Sequence, residues 1–329
     1  MKIAVFSTKP YDQEYFERHN KNADFEFTYF ETTLNSRTAN LTAGFDVVCV
    51  FVNDQVDEDT IKKMVDHGVR LIALRCAGYN NVDIESAKRN QLKVVRVPAY
   101  SPEAVAEHAV ALLLTLNRKT HKAYNRVREG NFSLNNLIGF NLHCKTVGVI
   151  GTGRIGATFC RIIKGFGCKI IAFDKYPADE LIHLGVVYLP LTEVFQQADI
   201  LSLHCPLNPD TKHLINAHTL SLMKEGVMII NTSRGALINT ADIIEGLAEQ
   251  KVGYLGIDVY EQEENLFFKD LSESIIPDDL IVRLIGFPNV LITSHQAYFT
   301  KEAMREITIT TLENIEDFGK GIALKNEIV

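Results

Sequence analysis

Thr146-Val-Gly-Val-Ile-Gly-Thr-Gly-Arg-Ile-Gly156 decides how this chain is read. A β-rich run, Val147–Ile150, leads straight into Gly151-x-Gly153-x-x-Gly156, and the helix-like Ala157–Phe166 follows. Gly151 permits a tight turn, Gly153 lets a pyrophosphate approach the backbone, and Gly156 lets helix and strand pack closely. The helix start supplies unbonded N–H groups and a positive dipole to phosphates. A glycine motif alone is a weak signal. Here the next run, Lys169-Ile-Ile-Ala-Phe-Asp174, ends in an acid 18 positions beyond Gly156. A carboxylate there accepts the ribose hydroxyls of NAD and repels the 2′-phosphate of NADP. The triphosphate-binding pattern GxxxxGK[ST] is absent from this segment.

Working outward, strand-like runs alternate with helix-like stretches. One series comprises Ile3–Ser7, Phe25–Phe30, Val47–Val52, Leu71–Cys76 and Val94–Val97. A second comprises Val147–Ile150, Ile170–Phe173, Ile200–Leu203, Val227–Asn231, Leu255–Val259 and Val290–Thr293. Such alternation predicts parallel sheets built from βαβ units. At 329 residues the chain is long enough for two domains. Between the two series Pro102 suits the first turn of a helix capped by Ser101 and running over Glu103–Arg118. Val105–Leu116 is apolar on more than one face, so it is expected between domains or subunits, which favours a homodimer or a higher homo-oligomer. A last helix, about Lys301–Phe318, follows the final strand and can return the chain to its first domain.

Composition excludes other classes. Hydrophobic residues make up 46% and charged residues 23%, which rules out a disordered, collagen-like or coiled-coil chain. The net charge of −7 argues against a general nucleic-acid binder. No apolar run reaches the roughly 18 to 20 residues of a membrane span. The start, MKIAVFSTKP, lacks a signal-peptide core, so a soluble cytoplasmic protein is expected. Cys49, Cys76, Cys144, Cys160, Cys168 and Cys205 form no C-x-x-C pair and read as reduced thiols, mostly buried.

Ligands of open α/β sheets bind beyond the C-terminal ends of strands. Four such ends carry polar residues: His204-Cys205-Pro206, Thr232-Ser233-Arg234-Gly235, Asp258 with Glu261 and Glu263, and His295. Each alone has a plain structural reading, as a packed histidine, an ion-pair partner or a solvated acidic loop. Together they can surround a nicotinamide.

Over essentially the whole chain this constellation resembles the D-2-hydroxyacid dehydrogenase family. The resemblance is carried by Leu74–Asp83 (LRCAGYNNVD), Val97–His108 (VPAYSPEAVAEH), Val147–Gly156, His204–Thr211 (HCPLNPDT), Asn231–Ile238 (NTSRGALI), Gly256–Glu263 (GIDVYEQE) and Thr293–Thr300 (TSHQAYFT). The His-Gln-Ala-Tyr form at 295–298 fits the lactate branch. The resemblance implies a Rossmann NAD-binding domain, 101–298, inserted in a flavodoxin-like substrate domain, 1–100 and 299–329. It implies catalytic Arg234, Glu263 and His295, and Asp258 against the nicotinamide carboxamide. Arg154 and Ile155 match the pyrophosphate turn and Asp174 the ribose acid, while Cys205, Pro206, Thr211, Thr232 and Ser233 match positions lining the cofactor. The backbone at Ala77 and Gly78 matches the loop that receives the substrate carboxylate. Phe51, Val52, Tyr100 and Tyr298 are expected to set chain-length preference, with core packing an equal reading for Phe51 and Val52.

The chemistry then expected is reversible reduction of pyruvate to D-lactate with NADH. Arg234 offers a planar fork for the carboxylate and ketone oxygen. His295 is the proton donor, and Glu263 orients its ring and favours the imidazolium. No metal is required. Two alternatives stay open: a relative acting on another 2-keto acid, and an NAD(H)-sensing protein without catalysis.

Overall fold

The computed structural model describes residues 1–329, the side chain of Asn265 excepted. The chain forms two compact units, Met1–Ser101 with Phe299–Val329, and Pro102–Tyr298.

The first unit contains β1 (Lys2–Val5), β2 (Glu26–Tyr29), β3 (Val47–Val50), β4 (Leu71–Leu74) and β5 (Lys93–Val95). All pair in parallel, in the order β2-β1-β3-β4-β5, which is the flavodoxin-like order. Val47-Val-Cys-Val50 and Leu71-Ile-Ala-Leu74 are buried at every position, because helices cover both faces of a parallel sheet. The C-terminal helix Lys301–Gly319 supplies Leu312 and Ile315 to the core around Ile3, Val5 and Val47. Asp57 and Asp83 cap the helices Glu58–Asp66 and Ile84–Arg89 through the N–H groups of Thr60 and Ser86. All five strands stop one or two residues earlier than their apolar runs predict. Ser7 lies at φ 52, and the buried Arg75 points its guanidinium at the carbonyls of Phe6 and Ser7, so these residues belong to the loops beyond the strand ends.

The second unit contains β6 (Thr146–Ile150), β7 (Lys169–Phe173), β8 (Val187–Tyr188), β9 (Ile200–Leu203), β10 (Val227–Asn231), β11 (Val252–Ile257) and β12 (Val290–Ile292). Their parallel order is β12-β11-β10-β9-β6-β7-β8. This is the doubly wound Rossmann order with one strand added beyond its sixth, and its switch point falls between β6 and β9. Strand β8 was not expected: two residues, between Gly185-Val186 and Leu189-Pro190, carry no alternation to read.

The helix Pro102–Arg118 corrects one expectation. Its residues Ala106, Ala109, Val110, Leu112, Leu113 and Leu116 pack with Val147, Val149, Phe159 and Ile163 in the second unit's own core. Its second apolar face is therefore covered within this unit, and the helix gives no argument for a partner subunit. Among the described residues no helix is long and apolar enough to cross a membrane. All six cysteines are unpaired and only Cys144 is exposed.

Candidate active site

The glycine turn lies at the switch point. Gly151 has φ 90, and a Cβ there would sit 2.6 Å from the Cys205 nitrogen, so only glycine allows the turn after β6 to pass the loop after β9. Gly156 packs against the Gly151 carbonyl. At Gly153 the contrast is clear: an added Cβ would meet no protein atom within 4 Å. That open face, at the start of the helix Arg154–Lys164, fits the approach of a pyrophosphate. Gly153 is the N-cap and has no side chain to satisfy the first N–H groups.

Asp174 follows β7 directly. Its Oδ2 accepts from the Thr152 N–H at 2.6 Å and the Thr152 hydroxyl at 3.1 Å, and its Oδ1 accepts from the Tyr176 N–H at 2.9 Å. Across the switch point, the Ser233 hydroxyl donates to the Cys205 carbonyl at 2.7 Å and the Thr211 hydroxyl to the Pro206 carbonyl at 2.7 Å. Burial pushes the Cys205 thiol up to about 11, so it stays protonated near neutral pH. The Thr232 hydroxyl is buried with no hydrogen-bond partner among the described residues, an orphan polar group in the cofactor-lining set.

Arg234, Glu263 and His295 follow the adjacent strands β10, β11 and β12. Neighbouring strands lie about 4.8 Å apart, so the three arise on one edge of the unit. Glu263 and His295 are brought together: His295 Nδ1 lies 2.7 Å from Glu263 Oε1, while Glu263 Oε2 accepts from the Tyr260 N–H at 2.9 Å. The guanidinium of Arg234 is half-buried, and its Nη1 donates to the Ser233 carbonyl at 2.7 Å. The turn behind it is tight, because a Cβ on Gly235 would strike the Tyr260–Glu261 backbone.

His295 itself has φ 53, an uncommon conformation for a residue with a side chain. Asp258 holds it there. The His295 N–H donates to the Asp258 carbonyl at 2.7 Å. The Asp258 carboxylate accepts from the Thr293 hydroxyl at 2.5 Å, the Gln296 N–H at 2.9 Å and the Ala297 N–H at 2.8 Å. Burial alone would raise this carboxyl, but hydrogen bonds from His108, Thr293, Ala297 and Gln296 outweigh it and hold Asp258 below the usual carboxylate range. His108 enters from the helix Pro102–Arg118, with Nε2 3.0 Å from the Thr293 hydroxyl. Sequence reasoning quoted His108 in a motif but saw no role for it, since nothing in its spacing shows that this helix reaches the ends of β11 and β12. A second imidazole–carboxylate pair was also missed: His213 Nε2 lies 2.5 Å from Glu261 Oε1, and Glu261 Oε2 accepts from the Thr240 hydroxyl.

In the first unit, the Ala77 carbonyl accepts from Arg96 Nη1 at 2.8 Å and the Gly78 carbonyl from the Cys76 thiol at 3.2 Å. The N–H groups of Ala77 and Gly78 have no hydrogen-bond partner among the described residues. Phe51 and Val52 pack against this unit's core, and the Phe51 ring lies under the Arg75 guanidinium, 4.7 Å from its centroid. Tyr100 is half-buried in this unit, and Tyr298 is buried at the end of the second. Among the described residues no group of three or more His, Cys, Asp or Glu is placed to hold a metal ion.

Comparison with known proteins agrees with this geometry. The profile of the D-isomer specific 2-hydroxyacid dehydrogenase NAD-binding domain matches residues 110–297. The chain belongs to that family. It is 51% identical to D-lactate dehydrogenase of Escherichia coli over 100% of both chains. It is similar to the apo-structure of D-lactate dehydrogenase from Escherichia coli, with TM-score 0.91, 49% identity and 100% of both chains covered. It is also similar to D-lactate dehydrogenase from Aquifex aeolicus complexed with NAD and lactic acid, with TM-score 0.87 and 33% identity, covering 97% of this chain and 96% of that one.

Proposed function

We propose that this protein reduces pyruvate to D-lactate, reversibly, with NADH as hydride donor. The observation that carries the reading is the Glu263–His295 contact of 2.7 Å, beside Arg234 on neighbouring strand ends of the family's NAD-binding domain. When bound, the dinucleotide supplies or takes up the hydride.

The rest belongs to this chain's side chains. Glu263 engages Nδ1 of His295, so the proton that moves to the alkoxide oxygen is carried on Nε2. The carboxylate aligns the ring; lactate oxidation uses the same nitrogen, unprotonated, as base. Arg234 presents five donors in a fixed fork, which match a carboxylate and an adjacent carbonyl oxygen. Its guanidinium stabilises the negative charge that develops on that oxygen. Nη1 donates to the Ser233 carbonyl, which leaves the other donors of the fork for the substrate. The N–H groups of Ala77 and Gly78 suit the substrate carboxylate, and Tyr100 and Tyr298 bear on chain length.

For the dinucleotide, the pyrophosphate is assigned to Gly151, Gly153, Arg154, Ile155 and Gly156, and the adenosine ribose to Asp174. Cys205, Pro206, Thr211, Thr232 and Ser233 line its path. We assign Asp258 first to anchoring the His295 turn; a contact with the nicotinamide carboxamide would use the acceptor place left on Oδ2.

A homo-oligomer is part of the proposal, on a different ground from the sequence argument. Phe132, Leu134 and Ile138 are 75%, 80% and 84% exposed, with Tyr124 and Val127 exposed nearby. Apolar side chains gathered in one segment mark an association surface. Unpaired thiols fit a reducing cytoplasmic setting, where lactate formation would regenerate NAD as in fermentation.

Initial rates of purified protein over a panel of 2-keto acids, with NADH and NADPH, test the reading. Pyruvate with NADH is expected to give the highest kcat/KM. A larger keto acid preferred by an order of magnitude assigns the activity to a sister enzyme. Dinucleotide binding with no turnover on any keto acid assigns the sensing role.

A further inference from the structure

We propose that Tyr188, acting through Thr152, is a positioning residue that sets the preference for the dinucleotide lacking a 2′-phosphate. The inference rests on the reading of Asp174 as the ribose acid. Thr152 is the residue between Gly151 and Gly153, and it is buried. Its N–H and its hydroxyl both donate to Asp174 Oδ2. Its oxygen in turn accepts from the Tyr188 hydroxyl at 2.9 Å. Tyr188 stands on β8 at the edge of the sheet, and its oxygen accepts from the Ala178 N–H at 3.1 Å.

This chain of hydrogen bonds can run in one direction only. A backbone N–H must donate and an ionised carboxylate must accept, so the two ends dictate both hydroxyl protons between them. The single proton of Thr152 is thereby committed to Asp174.

Two consequences follow for the nucleotide. An ionised carboxylate offers about four acceptor places. Thr152 fills two on Oδ2 and the Tyr176 N–H one on Oδ1, so the place left is on Oδ1. A ribose hydroxyl can donate to it. A phosphate, which mainly accepts, finds a negative charge there, and both donors of Thr152 are already spent. Without the Tyr188 hydroxyl, the Thr152 oxygen loses the donor that fixes its orientation, and its hydroxyl can turn between Asp174 and a bound phosphate. The carboxylate loses a fixed donor and a phosphate gains one.

The test is nucleotide binding itself, by fluorescence titration of the purified protein with NADH and NADPH without keto acid. Tyr188→Phe is expected to raise the Kd for NADH about three- to tenfold, the loss of one hydrogen bond, and to leave NADPH less affected. The NADPH/NADH ratio of Kd values therefore narrows. Thr152→Val is expected to narrow it similarly, and Thr152→Ser, which keeps the hydroxyl, to restore it. The double variant Tyr188→Phe with Thr152→Val is expected to add little to either alone. Thermal melts without nucleotide identify a variant that is merely less stable. Equal weakening of both nucleotides, an unmoved ratio, or independent effects in the double variant would overturn the inference. Asp174→Ala separates the two levels. If it narrows the ratio while Tyr188→Phe and Thr152→Val do not, only the Tyr188 role falls. If Asp174→Ala leaves the ratio unmoved, the ribose assignment falls as well.

Discussion

The backbone N–H of His295 donates to the carbonyl of Asp258 at 2.7 Å while His295 holds φ 53. The Asp258 carboxylate then takes the next two N–H groups, of Gln296 and Ala297. One buried acid thus sustains the left-handed conformation that presents the proton donor. Conformations of this kind cost about 1–3 kcal/mol and persist where the surroundings over-determine them.

Asp258→Asn keeps the size but turns an amide donor toward at least one of these N–H groups. An unsatisfied buried donor costs about 1–3 kcal/mol. The variant is expected to melt at lower temperature and to lose about 10- to 100-fold in kcat, with NADH still bound. An unchanged kcat beside a lowered melting temperature would confine Asp258 to stability.

Arg234→Lys retains the charge and loses the fork. KM for pyruvate is expected to rise and kcat to fall, by about 100-fold in kcat/KM together, because a donor to the developing oxyanion is removed. Steady-state kinetics and NADH titration check this. A change confined to NADH affinity would make Arg234 a phosphate ligand.

Glu263→Gln preserves a hydrogen-bonding partner for Nδ1 and deletes the negative charge beside the ring. kcat/KM is expected to fall about 10- to 100-fold in both directions, because the ring is less firmly aligned for proton transfer. The measurement is kcat/KM against pH in both directions. Two superimposable profiles would return Glu263 to an ordinary acidic loop residue.

His204 supplies a pH effect on stability. Its Nδ1 is buried without a partner among the described residues, and desolvation pushes the ring down to about 3. The folded value lies below the unfolded one, about 6.5. Its contribution is therefore fully present above pH 6.5 and lost as the pH falls toward 3. Each unit in that window costs up to about 1.4 kcal/mol. Urea unfolding of the nucleotide-free protein between pH 7.5 and 4.5 is expected to show this slope, flattened in His204→Gln. Equal slopes in both proteins would count against it.

Sequence and structure agree where a physical rule acts locally. A strand, three glycines, a helix and Asp174 are consecutive, and polar residues at strand ends mark a sheet's binding edge whatever the rest does. Strand β8 is too short for periodicity, so Tyr188 was invisible as a partner of Thr152. His108 was visible as a motif letter only, because its contact with Thr293 spans 185 positions. The helix Pro102–Arg118 misled for the opposite reason: an all-round apolar pattern reports burial and does not say against what. The apolar side chains of 120–138 follow no period, so the exposure of Phe132, Leu134 and Ile138 became apparent only in three dimensions.

The central claim is that Arg234, Glu263 and His295 orient pyruvate and supply its proton, with NADH as the hydride donor, to yield one hand of lactate. Its most direct test is to run purified protein with pyruvate and NADH to completion and resolve the lactate formed on a chiral column. The account predicts D-lactate in amounts equal to the NADH consumed, and none above background from His295→Gln that still binds NADH. L-lactate, a racemate, or undiminished product from His295→Gln would contradict it.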